Sequence, residues 1–255
     1  MKKHLLAYTL ALCCGLCSCG QDIIPVRVMS YNVHNCIGLD NVRDYNRIAE
    51  VIKQADPDVV ALQELDSMTQ RNDGVYALKE LETFTGMHGI FVSAIPFQGG
   101  SYGIGLLSKE QPLSYKKIPM PGREEQRTML VAEFKNYVFC ATHLSLTPED
   151  QLASVREILK VVEKYHNKAI LLAGDMNSRP NEKPQQELNR HFTTLSDTTA
   201  YTFPADRPDH CIDYIYGYTA NECGFKVLQQ NVLPEATASD HRPVQVDVLV
   251  LKKQF

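Results

Sequence analysis

The chain has 255 residues, 44% of them hydrophobic, and 26 Lys and Arg against 30 Asp and Glu give a formal net charge of −4. This length and composition suffice for one large domain or two small ones with a sizeable core. The weak negative charge, without a basic run, excludes a protein that binds chiefly through nonspecific phosphate contacts. A nucleic-acid substrate stays open, because a bound metal ion supplies local positive charge.

The first nineteen residues have the features of an export signal and are not expected to join the fold. Lys2 and Lys3 form a charged start, and the apolar run 5–16 is too short to span a bilayer. The run 16–19, Leu-Cys-Ser-Cys, resembles a bacterial lipobox, whose cysteine is lipidated after cleavage. We therefore expect a lipoprotein anchored to the membrane through Cys19, on the periplasmic side or at the cell surface. A plain secretory signal cut nearby is the alternative.

Four cysteines remain in the expected mature domain, residues 20–255: Cys36, Cys140, Cys211 and Cys223. Export permits disulfides, and four cysteines allow three pairings between which the sequence does not choose. Cys140 lies inside an apolar run, where a buried free thiol is expected. The cysteines have no CxxC spacing, so a cysteine metal site is not expected.

Short runs rich in β-branched and aromatic residues predict eight strands. They are 26–32, 58–63, 104–107, 128–134, 137–142, 169–173, 211–216 and 244–251. Helical patterns cover 46–54, 75–85 and 148–165, the last with Thr147 as N-cap and Pro148 in its first turn. Several strands are apolar at nearly every position, which is typical of strands covered on both faces. We therefore expect an α/β domain with two packed sheets and helices outside them.

Polar side chains able to bind a metal ion or a phosphate stand at the ends of five apolar runs. They are Asn32, Glu64, His143, Asp175 with Asn177, and Asp240 with His241. Buried acids are unfavourable unless paired or bound to a cation, and oxygen ligands without a Cys or His cluster indicate Mg²⁺ or Mn²⁺. Histidines add proton transfer near neutral pH. This combination predicts metal-assisted hydrolysis of a phosphate ester.

In order and residue type, these segments resemble the motifs of the endonuclease/exonuclease/phosphatase superfamily. That superfamily includes DNase I-like nucleases, abasic-site endonucleases, neutral sphingomyelinases and inositol polyphosphate 5-phosphatases. The resemblance covers essentially the whole of 20–255, as a single catalytic domain. It implies the DNase I-like fold, a four-layer α/β/β/α sandwich with two mixed sheets flanked by helices.

The resemblance also implies metal ligands. Glu64 would be the main ligand of the metal ion, and Asn32 would contact the metal or the phosphate. Asp240 would be a further ligand or a support. The expected ion is Mg²⁺ or Mn²⁺.

The catalytic roles carry over in the same way. His143 would hydrogen-bond the phosphoryl group or assist the leaving group, while Asp175 and Asn177 would orient the attacking water and hold the transition state. Asp213, in the run Ile-Asp-Tyr, matches the acid that orients the catalytic histidine, which is His241. Whether Asp175 or His241 is the general base stays open at this stage.

Three further residues are expected to contact substrate. Arg71, seven residues after Glu64, and Arg127, which opens the strand 128–134, carry planar guanidinium groups suited to phosphate. The resemblance places arginines at similar positions. Tyr102, just before the run 104–107, is expected to border the site.

We therefore expect a monomeric, divalent-metal-dependent hydrolase of phosphoric esters. The substrate stays open among nucleic acid, phospholipid and sugar phosphate, and so does the choice between monoester and diester. The alternative is a non-enzymatic surface module that binds a phosphorylated ligand with the same fold. Such a module would tolerate the loss of a ligand acid, and this sequence retains each acid that the motifs require.

Overall fold

The structure is a computed structural model that describes residues 22–219 and 223–252. The expected signal segment and Cys19 lie outside the described residues. In the part that is described, two six-stranded sheets pack against each other, each made of parallel and antiparallel strands. None of the helices in this part is long and apolar enough to cross a membrane.

The first sheet contains β11 (Gly224–Val232), β12 (Val244–Lys252), β1 (Asp22–Asn32), β2 (Val59–Ser67), β4 (Gly100–Ser108) and β3 (His88–Phe97), in that spatial order. The second contains β5 (Ser114–Met120), β6 (Arg127–Glu133), β7 (Tyr137–His143), β8 (Ala169–Asp175), β10 (Asp213–Tyr218) and β9 (Phe192–Thr194). The pairs β1–β2 and β7–β8 are parallel.

The helices are α1 (Tyr45–Ala55), α2 (Ala77–Thr85), α3 (Pro148–Val162) and α4 (Lys183–Leu188), with short 3-10 helices at His34–Cys36 and Gln70–Asn72. The first two helices pack on the outer face of the first sheet, and the other two pack on the outer face of the second. The order of layers is therefore α/β/β/α, as the resemblance implied.

Strands in the middle of each sheet are covered on both faces, which explains their continuous apolar runs. In β2, Val59 and Ala61 face the core between the sheets, while Val60 and Leu62 face the helices. In β7, Phe139 faces the other sheet, whereas its neighbours face α3. The two-residue period of a strand thus divides each run between two cores.

Each of the eight predicted strands is present, with small shifts at its ends. The structure adds four that the sequence did not predict, and these are the four sheet edges, β3, β5, β9 and β11. The helix predicted from residue 75 begins at Ala77, because Tyr76 forms a bridge with Ser67. The helix predicted to reach residue 165 ends at Val162.

Two further expectations concern single side chains. Thr147 is at the N-cap position of α3, but its hydroxyl donates to the Glu124 carboxylate (3.2 Å) and not to the helix. Cys36, Cys140 and Cys211 are buried free thiols, so the structure does not use them in disulfides.

Strand direction gathers the polar segments at one end of the sandwich. The parallel strands β1 and β2, and likewise β7 and β8, end there. The antiparallel strands β10 and β12 begin there, since Asp213 pairs with Asp175 and Val244 pairs with Ser30. Residues as far apart in sequence as Asn32 and His241, which are 209 positions apart, therefore meet at this end.

Candidate active site

The centre of the site is the buried amide of Asn32, at the end of β1. Its Nδ2 donates to Glu64 Oε1 (3.0 Å) and to Asp175 Oδ2 (3.1 Å), and lies 3.5 Å from His241 Nε2. Its Oδ1 accepts from the backbone N–H of His34 (3.1 Å). This bond turns the N–H groups of Asn32, and not its oxygen, toward the acids.

Glu64 reaches the site through an irregularity in β2. The pairing of β2 with β4 shifts register between Leu62 and Leu65, and Glu64 has a φ of +60°. Such a bulge re-aims a side chain out of the regular alternation. Glu64 is partly exposed, so its carboxylate is open to solvent and to a ligand.

Asp175 is fixed at the end of β8 by its neighbours. A Cβ at Gly174 would lie 2.1 Å from the Thr142 carbonyl oxygen, so the close approach of β7 to β8 requires glycine there. The Asn177 N–H donates to Asp175 Oδ1 (2.9 Å), and the Asn177 amide donates to the Leu144 carbonyl (3.0 Å). Oδ1 is thus held by the backbone, and Oδ2 faces the site.

The charge state of Asp175 is sensitive to its surroundings. Burial and the neighbouring Asp213 raise the pKa of Asp175 to about 7, against the opposing effects of His241 and of the donors on Asn177 and Asn32. A buried carboxyl with such a pKa is a candidate for proton transfer or cation binding.

His241 is held between two carboxylates. Its Nδ1 lies 2.9 Å from Asp213 Oδ2, and its Nε2 lies 3.7 Å from Asp175 Oδ2. The Phe203 ring packs against it with centroids 4.7 Å apart. Burial favours the neutral ring, but Asp213, Asp175 and Asp240 outweigh it and raise the pKa of His241 to about 10.

His143, at the end of β7, has the opposite surroundings. Its Nδ1 lies 3.1 Å from Arg127 Nη1, and its Nε2 lies 3.5 Å from Asp175 Oδ2. Burial, Arg127 and His241 together lower the pKa of His143 well below its ordinary value. His143 is therefore neutral near pH 7.

Arg127 was predicted to bind substrate phosphate, and the structure places it behind His143. Its side chain is 8% exposed, and Nη1 also contacts Glu125 Oε1 (3.2 Å). The guanidinium therefore contacts two protein groups, the imidazole of His143 and the carboxylate of Glu125.

Arg71 and Tyr102, the other two expected substrate contacts, lie together on the β2–β4 side. Asp66, fully buried, accepts from Arg71 Nε (2.6 Å) and Nη2 (2.7 Å). The guanidinium lies over the rings of Phe97 (4.6 Å) and Tyr102 (5.5 Å). Arg71 is thereby fixed in place while 35% of its side chain stays exposed.

Asp240 lies at the margin of the site. Its Oδ1 is 3.9 Å from His34 Nδ1, and Ser239 beside it donates to the Asn32 carbonyl (2.7 Å). This serine bond ties the 239–241 segment to the end of β1, and so sets the position of His241.

The donor set fits a hard divalent cation. Asp175, Asp213 and His241 each offer one ligand atom, and the three atoms lie within 4.8 Å of one another. Asp213 Oδ2 already faces the His241 Nδ1–H, whereas its Oδ1 is buried without a hydrogen-bond partner among the described residues. Glu64 is joined to the same group through Asn32. Such carboxylate oxygens suit Mg²⁺ or Mn²⁺.

Three residues of the site were not predicted, because none of them lies in a recognisable motif. Asp66 holds Arg71, Glu125 pairs with Arg127, and Phe203 packs on His241. Asp66 offered a weak signal, because it is a second acid in the same strand, two residues after Glu64.

The model of the Endonuclease/Exonuclease/phosphatase family matches residues 29–241. No curated protein matches the sequence. Among solved structures, an endonuclease/exonuclease/phosphatase from Beutenbergia cavernae is 23% identical, with a TM-score of 0.70, over 88% of this chain and 71% of that one.

Two other similar structures have more specific descriptions. A mannosyl-6-phosphatase from Bacteroides thetaiotaomicron is 19% identical, with a TM-score of 0.70, over 88% of this chain and 99% of that one. TDP2 of D. rerio, complexed with a single-strand DNA product, is 17% identical, with a TM-score of 0.69, over 88% and 98%. These likenesses concern the fold.

Proposed function

Because the chain belongs to the endonuclease/exonuclease/phosphatase family, we propose that it is a divalent-metal-dependent hydrolase of phosphoric esters. One observation carries the proposal. Asn32 Nδ2, His143 Nε2 and His241 Nε2 converge on Asp175 Oδ2 at 3.1, 3.5 and 3.7 Å, at the end of the sandwich where Glu64 is open to solvent. Buried polar groups converging beside a partly exposed acid are typical of an active site and not of a structural core.

Glu64 would be the main metal ligand, with Asp240 as the further ligand expected from the sequence. Of the two roles that the resemblance allowed for Asn32, contact with the metal or with the phosphate, its geometry favours the phosphate, because its N–H groups and not its oxygen face the site. The bound Mg²⁺ or Mn²⁺ would supply positive charge for the phosphoryl oxygens. A cation beside Asp175 and His241 would lower the pKa of both groups, that of His241 toward neutrality and that of Asp175 below it. The proposal therefore does not depend on the metal-free charge state of the pair.

His241 and Asp175 would move the proton of the attacking water. Asp213 accepts from Nδ1 of His241, so Nε2 is the atom that exchanges a proton on the site side. Water would attack phosphorus as its proton passes to this pair, the bond between phosphorus and the leaving oxygen would break, and that oxygen would take up a proton from the pair or from solvent as it leaves. Asn32 and His143 present N–H groups toward the developing negative charge.

The similar structures suggest two classes of substrate. One of those proteins is a mannosyl-6-phosphatase, and another is complexed with a single-strand DNA product. A sugar phosphate and a DNA strand both carry phosphate groups. We propose the phosphate group as the common element that this site recognises.

We also propose that the chain is exported and anchored through Cys19. β1 runs from Asp22 to Asn32, so ten residue steps of about 3.3 Å separate the start of the domain from the site by about 30 Å. Anchoring at Cys19 would hold the site on the side of the domain away from the anchor. This geometry favours a soluble phosphate ester over a lipid of the anchoring membrane.

The test is a substrate screen of residues 20–255 with Mg²⁺ or Mn²⁺. It includes single- and double-stranded DNA, RNA, sugar phosphates, sphingomyelin, phosphoinositides and a chromogenic phosphodiester. We expect turnover that a chelator abolishes and that Glu64→Gln removes, while the exposed Glu110→Gln, the same change at the far end of β4, retains it. Phosphate binding without turnover of any of these esters would instead favour the surface module.

A further inference from the structure

We propose that Arg127 is a positioning residue that fixes His143 as the tautomer with its proton on Nε2, so that His143 acts as a neutral hydrogen-bond donor. The tautomer follows from the contacts of the ring, and its effect on catalysis rests on the proposed function. It differs from the phosphate contact that the sequence predicted for Arg127.

The two neighbours of the ring decide the tautomer. A guanidinium donates hydrogen bonds and cannot accept them, so His143 Nδ1, 3.1 Å from Arg127 Nη1, presents its lone pair. On the other side, Nε2 lies 3.5 Å from Asp175 Oδ2, an oxygen that can accept but not donate when the carboxyl is ionised. The donor at Nδ1, Arg127, and the acceptor at Nε2, Asp175, both favour the tautomer with its proton on Nε2.

Arg127 can do this because it is itself fixed. It opens β6, two residues before the Met129–Thr142 pairing with β7. Nη1 also lies 3.2 Å from Glu125 Oε1, an ion-pair contact that places a carboxylate beside the buried guanidinium. The Arg127 side chain is only 8% exposed, and its contact with His143 joins it to the site.

The loop 121–126 between β5 and β6 holds Glu125 in place. Adjacent Glu124 accepts from the Ser145 hydroxyl and the Leu146 N–H (2.7 Å), and Arg123 donates to Asp150 from its backbone (2.8 Å) and from Nη2 (3.0 Å). The loop is therefore joined to the segment that follows His143. Glu125, Arg127 and His143 therefore form a chain of contacts that ends at the ring of His143.

A His143 aligned in this way offers a hydrogen bond to a phosphoryl oxygen and keeps its proton. Removal of Arg127 frees the ring to adopt either tautomer, and in one of them Nε2 presents a lone pair to an anion. The expected loss therefore falls on the chemical step and not on phosphate affinity.

The experiment is ¹⁵N NMR of the histidine rings in the purified protein at neutral pH. We expect a pyrrole-type Nε2 and a pyridine-type Nδ1 for His143 in the wild type. In Arg127→Met we expect the two ring forms to mix and kcat to fall about 10- to 100-fold, the value of one hydrogen bond to a charged group. The affinity for inorganic phosphate, measured by calorimetry, should change less than about threefold.

Three variants separate the possible readings. Arg127→Lys keeps a donor and should retain the wild-type ring signals. Arg156→Gln, which removes an exposed arginine from α3, should change neither signals nor kcat. A weakened phosphate affinity with unchanged His143 signals in Arg127→Met would overturn the proposal in favour of direct phosphate binding.

The wild-type ¹⁵N spectrum alone also tests the proposal, because it reports which ring nitrogen of His143 carries the proton even if no variant folds. A proton on Nδ1 of His143 contradicts the inference directly. Because the ring signals need no turnover, a fixed tautomer in a protein that hydrolyses none of the tested esters would leave the Arg127 contact established and reject the proposed function instead.

Discussion

His143 and His241 approach the same oxygen of Asp175, and the protein treats them in opposite ways. His241 has a carboxylate, Asp213, behind its Nδ1, whereas His143 has a guanidinium, Arg127, behind the same ring atom. One partner raises the pKa of its histidine and the other lowers it. Both residues are histidines, so the difference between their pKa values comes from the charged group beside Nδ1.

The comparison shows how one site obtains two functions from one side chain. A histidine with a carboxylate beside its Nδ1 takes up a proton readily, because the carboxylate stabilises the imidazolium that results. A histidine backed by an arginine stays neutral and donates from its other nitrogen. When the surroundings of two titratable groups move their pKa values apart, those surroundings identify which group transfers protons.

The largest expected effect is a difference in kcat between substitutions of His241 and of His143. His241→Gln should lower kcat about a thousandfold, because it removes the group that exchanges a proton. His143→Gln should lower kcat about 10- to 100-fold, because it removes a donor for charge that the other donors also stabilise. Steady-state kinetics on the ester found in the screen measures both. A larger loss for His143 would reverse the assignment.

A smaller effect is expected from the residue behind His241. Asp213→Asn keeps the size of the side chain but removes the charge that favours the imidazolium, so kcat should fall about a hundredfold. The pKa of His241, followed by NMR, should fall at the same time. If His143 responds to Asp213→Asn as strongly as His241 does, the two environments are not separate.

The same contrast predicts how stability depends on pH in the metal-free protein. The folded pKa of His241, about 10, exceeds the unfolded value of about 6.5, so its contribution is complete below pH 6.5 and is lost as the pH rises toward 10. The folded pKa of His143 is depressed, so its contribution is lost as the pH falls below about 6.5. Each slope is at most about 1.4 kcal/mol per pH unit.

Urea unfolding in the presence of a chelator, from pH 5 to 10, tests these slopes. His241→Asn should flatten the alkaline side, and His143→Asn should flatten the acid side. Asp175 titrates in the same range, and loss of His241 would raise its pKa further, so the His241→Asn comparison is repeated in an Asp175→Asn background. Loss of both slopes in one variant would show that the rings titrate as a unit.

The strands that the sequence predicted and those that it missed differ in position. The eight predicted strands are the inner ones, because two apolar faces leave a continuous hydrophobic run. The missed strands are the edges, where exposed residues interrupt the pattern. Lys116, Lys117 and Pro119 in β5 are examples, and such residues also protect an edge from pairing with another chain.

The site shows the same division between local and distant information. Asn32, Glu64, His143, Asp175 and His241 could be predicted because each stands beside an apolar run, at the end where strand directions converge. Contacts between distant segments leave no such local pattern. Arg127 could be recognised as suited to phosphate, but no sequence pattern tells whether its guanidinium faces a substrate or His143.

The smallest expected effect also concerns His241 alone. Phe203 packs against this ring with centroids 4.7 Å apart and planes tilted by 49°. Phe203→Leu keeps an apolar side chain but removes the aromatic contact, which is worth about 0.5–1.5 kcal/mol. We expect kcat to fall about two- to tenfold, because the ring loses orientation while Asp213 still holds Nδ1. The His143 signals in the ¹⁵N spectrum should not move, because Phe203 contacts the other ring. A shift of both histidines would mean that the loop carrying Phe203 sets the geometry of the whole site.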